Sequence, residues 1–352
     1  MSDVAPPSIL AERHGAVGWL RLNRAKTLHA LSLDMVESLT QNLQAWAQDS
    51  NIGCILLDHA EGRGFCAGGD IRFLQNSALH DGGATGRAFF YAEYQLNHLM
   101  FTTTKPIVAF MDGITMGGGV GISQPARYRV ATENTRYAMP ETGIGLFPDV
   151  GGGWYLSRLP GRMGEYLALT GARIDGADCM ALGLATHYVE SAQLPALKAA
   201  LIAAPQDIDG LLAQFAKPAP PSRLMEHAQE VATLFASDKL EDILAALAAS
   251  DSPWAAAQAK DLAGKSPQTC KVALRQLLES KKLGSFAENM AMEYRIASRV
   301  LTRPDFIEGV RAVIVDKDNA PRWNPPTAEA VSDALIDEIF APLPADQEWK
   351  PL

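Results

Sequence analysis

The sequence predicts a layered α/β fold, built of repeated ββα-like units and followed by a helical C-terminal region. Three observations lead there. Short, continuously apolar runs such as Gly53–Asp58 (GCILLD) and Ile107–Met111 (IVAFM) have the pattern of strands buried on both faces. Helical spacing alternates with such runs, and strands also follow one another directly. From about Met163 onward strand signals nearly vanish and amphipathic helices take over. This reading assigns an α/β core to residues 1–190 and a helical region to residues 191–352, with no internal repeat or low-complexity tract.

The chain opens with a loose, Pro-containing start. Ala16–Asn23 (AVGWLRLN) then reads as a strand, with Val17, Trp19, Leu20 and Leu22 supplying its apolar faces. The basic loop Asn23–Lys26 leads to Ser32, a good N-cap for a helix from Leu33 to about Ala47 with Val36, Leu39, Leu43 and Trp46 at helical spacing. After GCILLD, Gly62–Asp70 (GRGFCAGGD) is a turn-rich loop leading into Ile71–Leu74. Arg87–Phe101 reads as helical and carries Glu93 among aromatic neighbours. Asp112-Gly113 turns IVAFM into Met116–Val120 (MGGGV), and Tyr128–Thr132 and Thr135–Ala138 read as further strands. Beyond Met163 only His187–Val189 keeps a strand signal. The Ala/Leu-rich segment Leu194–Phe215 ends in the stiff connector Lys217–Pro221 (KPAPP). Arg223–Phe235, Lys239–Ala249, Pro253–Leu262, Pro267–Leu283, Phe286–Leu301 and Asp305–Val315 follow as helices.

Composition narrows the function classes. A chain of 352 residues, 47% hydrophobic and 20% charged, buries a full core. Its net charge of −9 argues against a nucleic-acid binder, while local basic groups and N–H donors leave small phosphorylated ligands open. The four cysteines form no C-x-x-C pair and the seven histidines no ligand spacing, so neither a disulfide framework nor a metal site is expected. The N-terminal MSDVAPPSILAERHG does not read as a secretory signal, and no apolar run reaches the roughly 18 residues of a membrane helix. A cytoplasmic location is the default expectation.

Candidate chemistry is concentrated in Met139–Leu159 (MPETGIGLFPDVGGGWYLSRL). Glu141 and Asp149 are eight positions apart, so they can meet only through a loop, which Pro140, Gly143, Gly145, Pro148 and Gly151–Gly153 supply. Ile144, Leu146, Phe147 and Val150 would desolvate these carboxylates and raise their pKa values, which suits acid–base or nucleophilic work. Upstream, CAGGD and MGGGV each follow a buried strand where a helix would start. Unpaired N–H groups at such places hold an anion, or a carbonyl oxygen gaining charge, and glycine lets it come close. Two facing clusters would form an oxyanion hole, worth about 3–4 kcal/mol per donor. Neither G-x-G-x-x-G with a following acid nor G-x-x-x-x-G-K-[ST] is present, so a carbonyl cradle is favoured over a phosphate cradle.

On these motifs the chain resembles the enoyl-CoA hydratase/isomerase (crotonase) superfamily over roughly Val17–Val189. LNRAKTLHAL, GRGFCAGGDI, DGITMGGGVGIS and MPETGIGLFPDVGGG carry the likeness. Within that superfamily it looks most like the 3-hydroxyisobutyryl-CoA hydrolase branch, through MPETGIGLFPDVGGGWYL and Asp305–Pro325 (DFIEGVRAVIVDKDNAPRWNP), which extends the likeness over nearly the whole chain. The resemblance implies a crotonase-like spiral of ββα units, with the N–H groups of Gly69 and Gly118 polarising a thioester carbonyl. It implies that Arg24 and Lys26 lie near the nucleotide part of coenzyme A. Glu93, in FYAEY, matches a substrate-binding glutamate, and Gly118, Glu141 and Asp149 are implied to contact substrate too. Coenzyme A then belongs to the substrate and no separate cofactor is expected. Relatives often form trimers through C-terminal helices, which admits a homo-oligomer here. Membership in valine breakdown is implied in the same way.

Departures from the hydratase pattern point to the branch. Hydratases carry two catalytic glutamates; the first falls here on Gly121, the second survives as Glu141, and Asp149 stands where hydratases have a small residue. The expected activity is therefore hydrolysis of a 3-hydroxyacyl-CoA thioester, 3-hydroxyisobutyryl-CoA first among them. Glu141 would attack the carbonyl or activate water, and Asp149 would orient water, assist proton transfer or bind the 3-hydroxyl. A thiol of pKa near 8.5 leaves with little acid assistance, so no catalytic histidine is needed. The chemical alternative is an enoyl-CoA isomerase or hydratase using Glu141 alone. A thiol nucleophile at Cys66 and a non-catalytic CoA-binding protein are the remaining rivals.

Overall fold

The computed structural model describes residues 6–352; the first five residues of the stretch read for a secretory signal lie outside that range. The loose start already contains a strand. β1 (Ile9–His14) pairs antiparallel with β2 (Val17–Leu22) around Gly15, whose φ of +61° a side chain would strain. β1 escapes a pattern reading because it is an edge strand with only Ile9 buried. α1 (Leu33–Gln48) closes this turn of the chain, with Met35, Val36, Leu39 and Leu43 on its buried face.

The next turns follow the expected ββα order. β3 (Cys54–His59) and β4 (Gly64–Cys66) precede α2 (Ile71–His80) and α3 (Ala84–Thr102). β5 (Ile107–Met111) and β6 (Ile114–Met116) precede α4 (Gly118–Ser123). β7 (Tyr128–Ala131), β8 (Arg136–Ala138), β9 (Ile174–Asp175) and β10 (His187–Tyr188) complete the set. From β3 onward one strand of each successive pair goes to each of two sheets, in the orders β1-β2-β3-β5-β7-β10 and β4-β6-β8-β9. From β2 onward the larger sheet is parallel, and β3 and β5 are buried almost throughout, as their unbroken apolar runs require. Alternate residues of one face, including Cys54 and Leu56, Val108 and Phe110, Tyr128 and Val130, pack with Leu194, Leu197, Leu201, Ile208 and Leu212.

The chain divides into two compact units, one of Met1–Gly69, Leu96–Tyr137 and Ile174–Ser222, the other of Asp70–Gln95, Ala138–Arg173 and Arg223–Leu352. The first holds the six-stranded sheet. The second is helical, with Pro253–Ala263, Pro267–Ser280, Phe286–Val300 and Asp333–Phe340 among its helices. Ser252, Ser266, Ser285 and Ser332 cap these four by accepting a hydrogen bond from an N–H of the first turn. Two helices differ from expectation. Leu194–Phe215 is split at Pro205 into Leu194–Ala203 and Ile208–Phe215, because proline cannot sit inside a helix without losing a hydrogen bond. The helix begun at Pro304 loosens after Val310 into a π turn, Arg311–Val315. Among the described residues no helix is long and apolar enough to cross a membrane.

Candidate active site

Three carboxyl groups meet in the second unit. β8 ends at Ala138, and Pro140 then opens a 3₁₀ turn, Glu141–Ile144. The Glu141 carbonyl accepts the Leu146 N–H at 3.0 Å, the Thr142 hydroxyl donates to the Leu169 carbonyl at 3.0 Å, and the Ser266 N–H donates to the Thr142 carbonyl at 3.0 Å. Gly145 closes the turn at φ +70°, where a Cβ would run into the Asp305 backbone. The turn thus has little freedom, and Glu141 is 5% exposed with its Oε2 buried and without a partner.

Asp149 follows Pro148 and is 4% exposed; its Oδ2 accepts the Tyr94 hydroxyl at 2.8 Å. Its neighbour Val150 has φ +52°, a left-handed conformation that costs a β-branched residue about 1–3 kcal/mol. Such strain persists only where the surroundings fix the backbone. Here the Asp149 carbonyl accepts the Gly152 N–H at 2.7 Å as α5 (Gly152–Leu156) begins. α3 supplies Tyr94 and, beside it, Glu93, which is 2% exposed with Oε1 unpartnered.

Burial dominates the electrostatics. It pushes Glu141 and Glu93 well above the usual carboxylate range; the Asp149 charge adds to both, and Glu141 raises Glu93 further. Burial also lifts Asp149 to about 7, against the Tyr94 hydroxyl, which favours its ionised form. The half-buried Lys265, near Gly143, is the cation that opposes the rise at Glu141. Buried carboxyls with unpartnered oxygens and protons held above the usual carboxylate range can attack a carbonyl, or take and give protons.

The loop after Asp149 is held by residues that the sequence did not single out. Fully buried Glu293 accepts the Gly151 N–H through Oε2 at 2.7 Å and the Gly153 N–H through Oε1 at 3.0 Å. Gln276 and Asn289 donate to the same Oε1 at 3.0 and 2.8 Å. A Cβ at Gly153 would collide with Ser280, Gln276 and Glu293, so the last glycine of the triplet marks close packing. Tyr94 could have been noticed as the neighbour of Glu93. Glu293 had one signal, an acid four residues after Asn289 on the apolar face formed by Phe286, Met290, Ile296 and Ala297.

In the first unit the two glycine clusters pack on each other. A Cβ at Gly68 would lie 3.4 Å from the Met116 carbonyl oxygen and 3.6 Å from the Gly118 nitrogen, and one at Gly119 would strike the Cys66 carbonyl. Gly118 is the first residue of α4, where an N–H has no intrahelical acceptor. Gly69 pairs with Leu31 in an isolated parallel bridge. The basic loop borders this cluster, since Ala67 N–H donates to Leu28 and Leu31 N–H to Gly68. Arg24 donates to the Ala30 carbonyl at 2.7 Å, and Lys26 is exposed on the 3₁₀ turn Ala25–Thr27. The buried Cys66 thiol is engaged as a donor to the His29 carbonyl at 3.2 Å. Cys66→Ser should therefore retain kcat within about twofold; a loss beyond about 100-fold in folded protein would restore the thiol nucleophile.

The enoyl-CoA hydratase/isomerase family model matches residues 17–340. The chain is 42% identical over 348 residues to chicken (Gallus gallus) "3-hydroxyisobutyryl-CoA hydrolase, mitochondrial", with 95% of this chain and 89% of that protein covered. It is 39% identical over 348 residues to the human protein of the same name, with 96% and 90% covered. A crystal structure titled as a carnitinyl-CoA dehydratase from Mycobacterium thermoresistibile superimposes with a TM-score of 0.93 at 40% identity, covering 98% of this chain and 99% of that one. The two interleaved sheets, the paired glycine loops and the family match over nearly the whole sequence agree: the chain belongs to the enoyl-CoA hydratase/isomerase family.

Proposed function

We propose that this protein hydrolyses 3-hydroxyacyl-CoA thioesters, and 3-hydroxyisobutyryl-CoA in particular, to the free hydroxy acid and coenzyme A. The observation that carries the reading is Asp149, buried, held by Tyr94 and electrostatically linked to Glu141 and Glu93. The names of the chicken and human relatives support it. In this reading the Gly69 and Gly118 N–H groups stabilise the carbonyl oxygen as it gains charge. Glu141, whose Oε2 is unengaged, either attacks the carbonyl carbon or takes a proton from the attacking water. In the first route the C–S bond breaks to release the thiolate of coenzyme A, and water then cleaves the mixed anhydride. In the second, water adds directly and the same bond breaks. Asp149 orients water or the 3-hydroxyl, and Glu93 holds the acyl group.

Arg24 and Lys26 bind the nucleotide part of coenzyme A in this proposal, and no other cofactor takes part. Assembly of copies through the C-terminal helices belongs to the same reading. The cytoplasmic default has no counterpart in the animal relatives' names, which specify mitochondria.

A second reading, an isomerase or hydratase working through Glu141 alone, draws on the dehydratase title of the similar structure. It asks for nothing at position 149, and Gly121 on α4 offers no second carboxylate. Asp149→Gly separates the two. The hydrolase reading predicts loss of thiol release by at least about 100-fold in folded protein. Undiminished release would overturn it.

A further inference from the structure

We infer that Glu293, with Gln276 and Asn289, is a positioning residue that aims Asp149 at the reacting group; the inference rests on the hydrolase reading above. The residues on both sides of Asp149 are tied to one buried group. Before it, the Pro148 carbonyl accepts the Gln276 side-chain N–H at 2.7 Å. After it, the Gly151 and Gly153 N–H groups donate to Glu293, which also receives Gln276 and Asn289. Asn289 is itself fixed by the Ser280 hydroxyl at 2.7 Å. Between these ties lies Val150 in its left-handed conformation, so the clamp holds the backbone that directs the Asp149 side chain.

Only a carboxylate suits four N–H donors. An amide at 293 would have to turn its own NH₂ toward at least one of them, leaving a buried donor against a donor. A merely structural buried polar cluster would serve as well anywhere in the helix pair. This one ends on the peptide groups flanking a candidate catalytic acid. Charge links the two acids as well: the Asp149 carboxylate adds to the burial that lifts Glu293 to about 8. The other titratable groups facing Asp149 are Tyr94 and Glu93 on α3 and Glu141 on its 3₁₀ turn.

The test is Glu293→Gln in the full chain, assayed by thiol release from 3-hydroxyisobutyryl-CoA beside Asp149→Asn and the double variant. Misaiming a catalytic group costs about 10- to 100-fold in kcat with little effect on binding. The expected result is a kcat lower by that factor, KM within about threefold, and unchanged circular dichroism. In the Asp149→Asn background Glu293→Gln should cost nothing further. If Glu293→Gln does not fold, Gln276→Met carries the test, with kcat expected about 3- to 10-fold down at constant KM. A folded Glu293→Gln with wild-type kcat, an equal further loss in the double variant, or a wild-type kcat in Gln276→Met where it stands in, would overturn the inference. Full activity in Asp149→Asn would instead overturn the catalytic reading of Asp149 beneath it.

Discussion

Glu141→Gln lowers kcat for thioester hydrolysis by about 10²–10⁴-fold, the usual worth of a positioned acid–base or nucleophilic carboxylate, and changes KM far less. Glutamine has the same shape and keeps the 3₁₀ turn, whose hydrogen bonds run through backbone and Thr142. What it lacks is a group able to attack a carbonyl or accept the proton of water. The wild-type pH profile carries a companion signature. Glu141 must lose its proton to act, and burial holds that proton well above the ordinary carboxylate range. Activity therefore falls on acidification at a pH above the 4–5 where an exposed glutamate titrates. Steady-state rates of both proteins from pH 5 to 9 check this. A glutamine variant within tenfold of wild type, or a flat profile down to pH 5, would remove Glu141 from the reaction.

Asp149→Asn makes the protein more stable at pH 8 while making it a poor enzyme. Burial raises the Asp149 carboxyl to about 7, whereas an unfolded chain gives up that proton near pH 4. The native pKa is the higher one, so the native state binds more protons between these values. Stability then falls as pH rises from about 4 through about 7 and levels off above. At about 1.4 kcal/mol for each pH unit crossed, the cost is bounded at roughly 4 kcal/mol. Asparagine never ionises, and its carbonyl oxygen can still accept the Tyr94 hydroxyl. Thermal melts at pH 8 should place the variant several degrees above wild type, with the gap narrowing at pH 5. A variant that melts at or below wild type at pH 8 would mean that burial does not strain Asp149. The trade of stability for a buried, reactive acid is common in active sites.

The fold was legible where burial is total and hidden where it is partial. β3 and β5 announce themselves through the continuous apolar runs Cys54–Leu57 and Ile107–Met111, and the serine caps of Pro253–Ala263 and Pro267–Ser280 stand beside prolines that begin helices well. β1 was lost because edge strands carry polar residues. β8 of the second sheet was read in Thr135–Ala138, but β4, β6 and β9 were lost because strands of two or three residues are too short to show a period. The carboxyl site divides along the same line. Glu141 and Asp149 share one loop, so their spacing and neighbours exposed them as a pair. Tyr94 and Glu293 reach that loop across 55 and 142 residues of chain, and no local pattern encodes such meetings. The Asp305–Pro325 likeness gains a local reason, since the Asp305 backbone bounds Gly145 and Gly309 presses on Ile144, the residues just after Glu141.

The central claim is hydrolysis, and the most direct measurement is free thiol released from 3-hydroxyisobutyryl-CoA, followed with a thiol reagent at saturating substrate. The account predicts stoichiometric thiol that requires Glu141 and Asp149. No release above the no-enzyme background would contradict it.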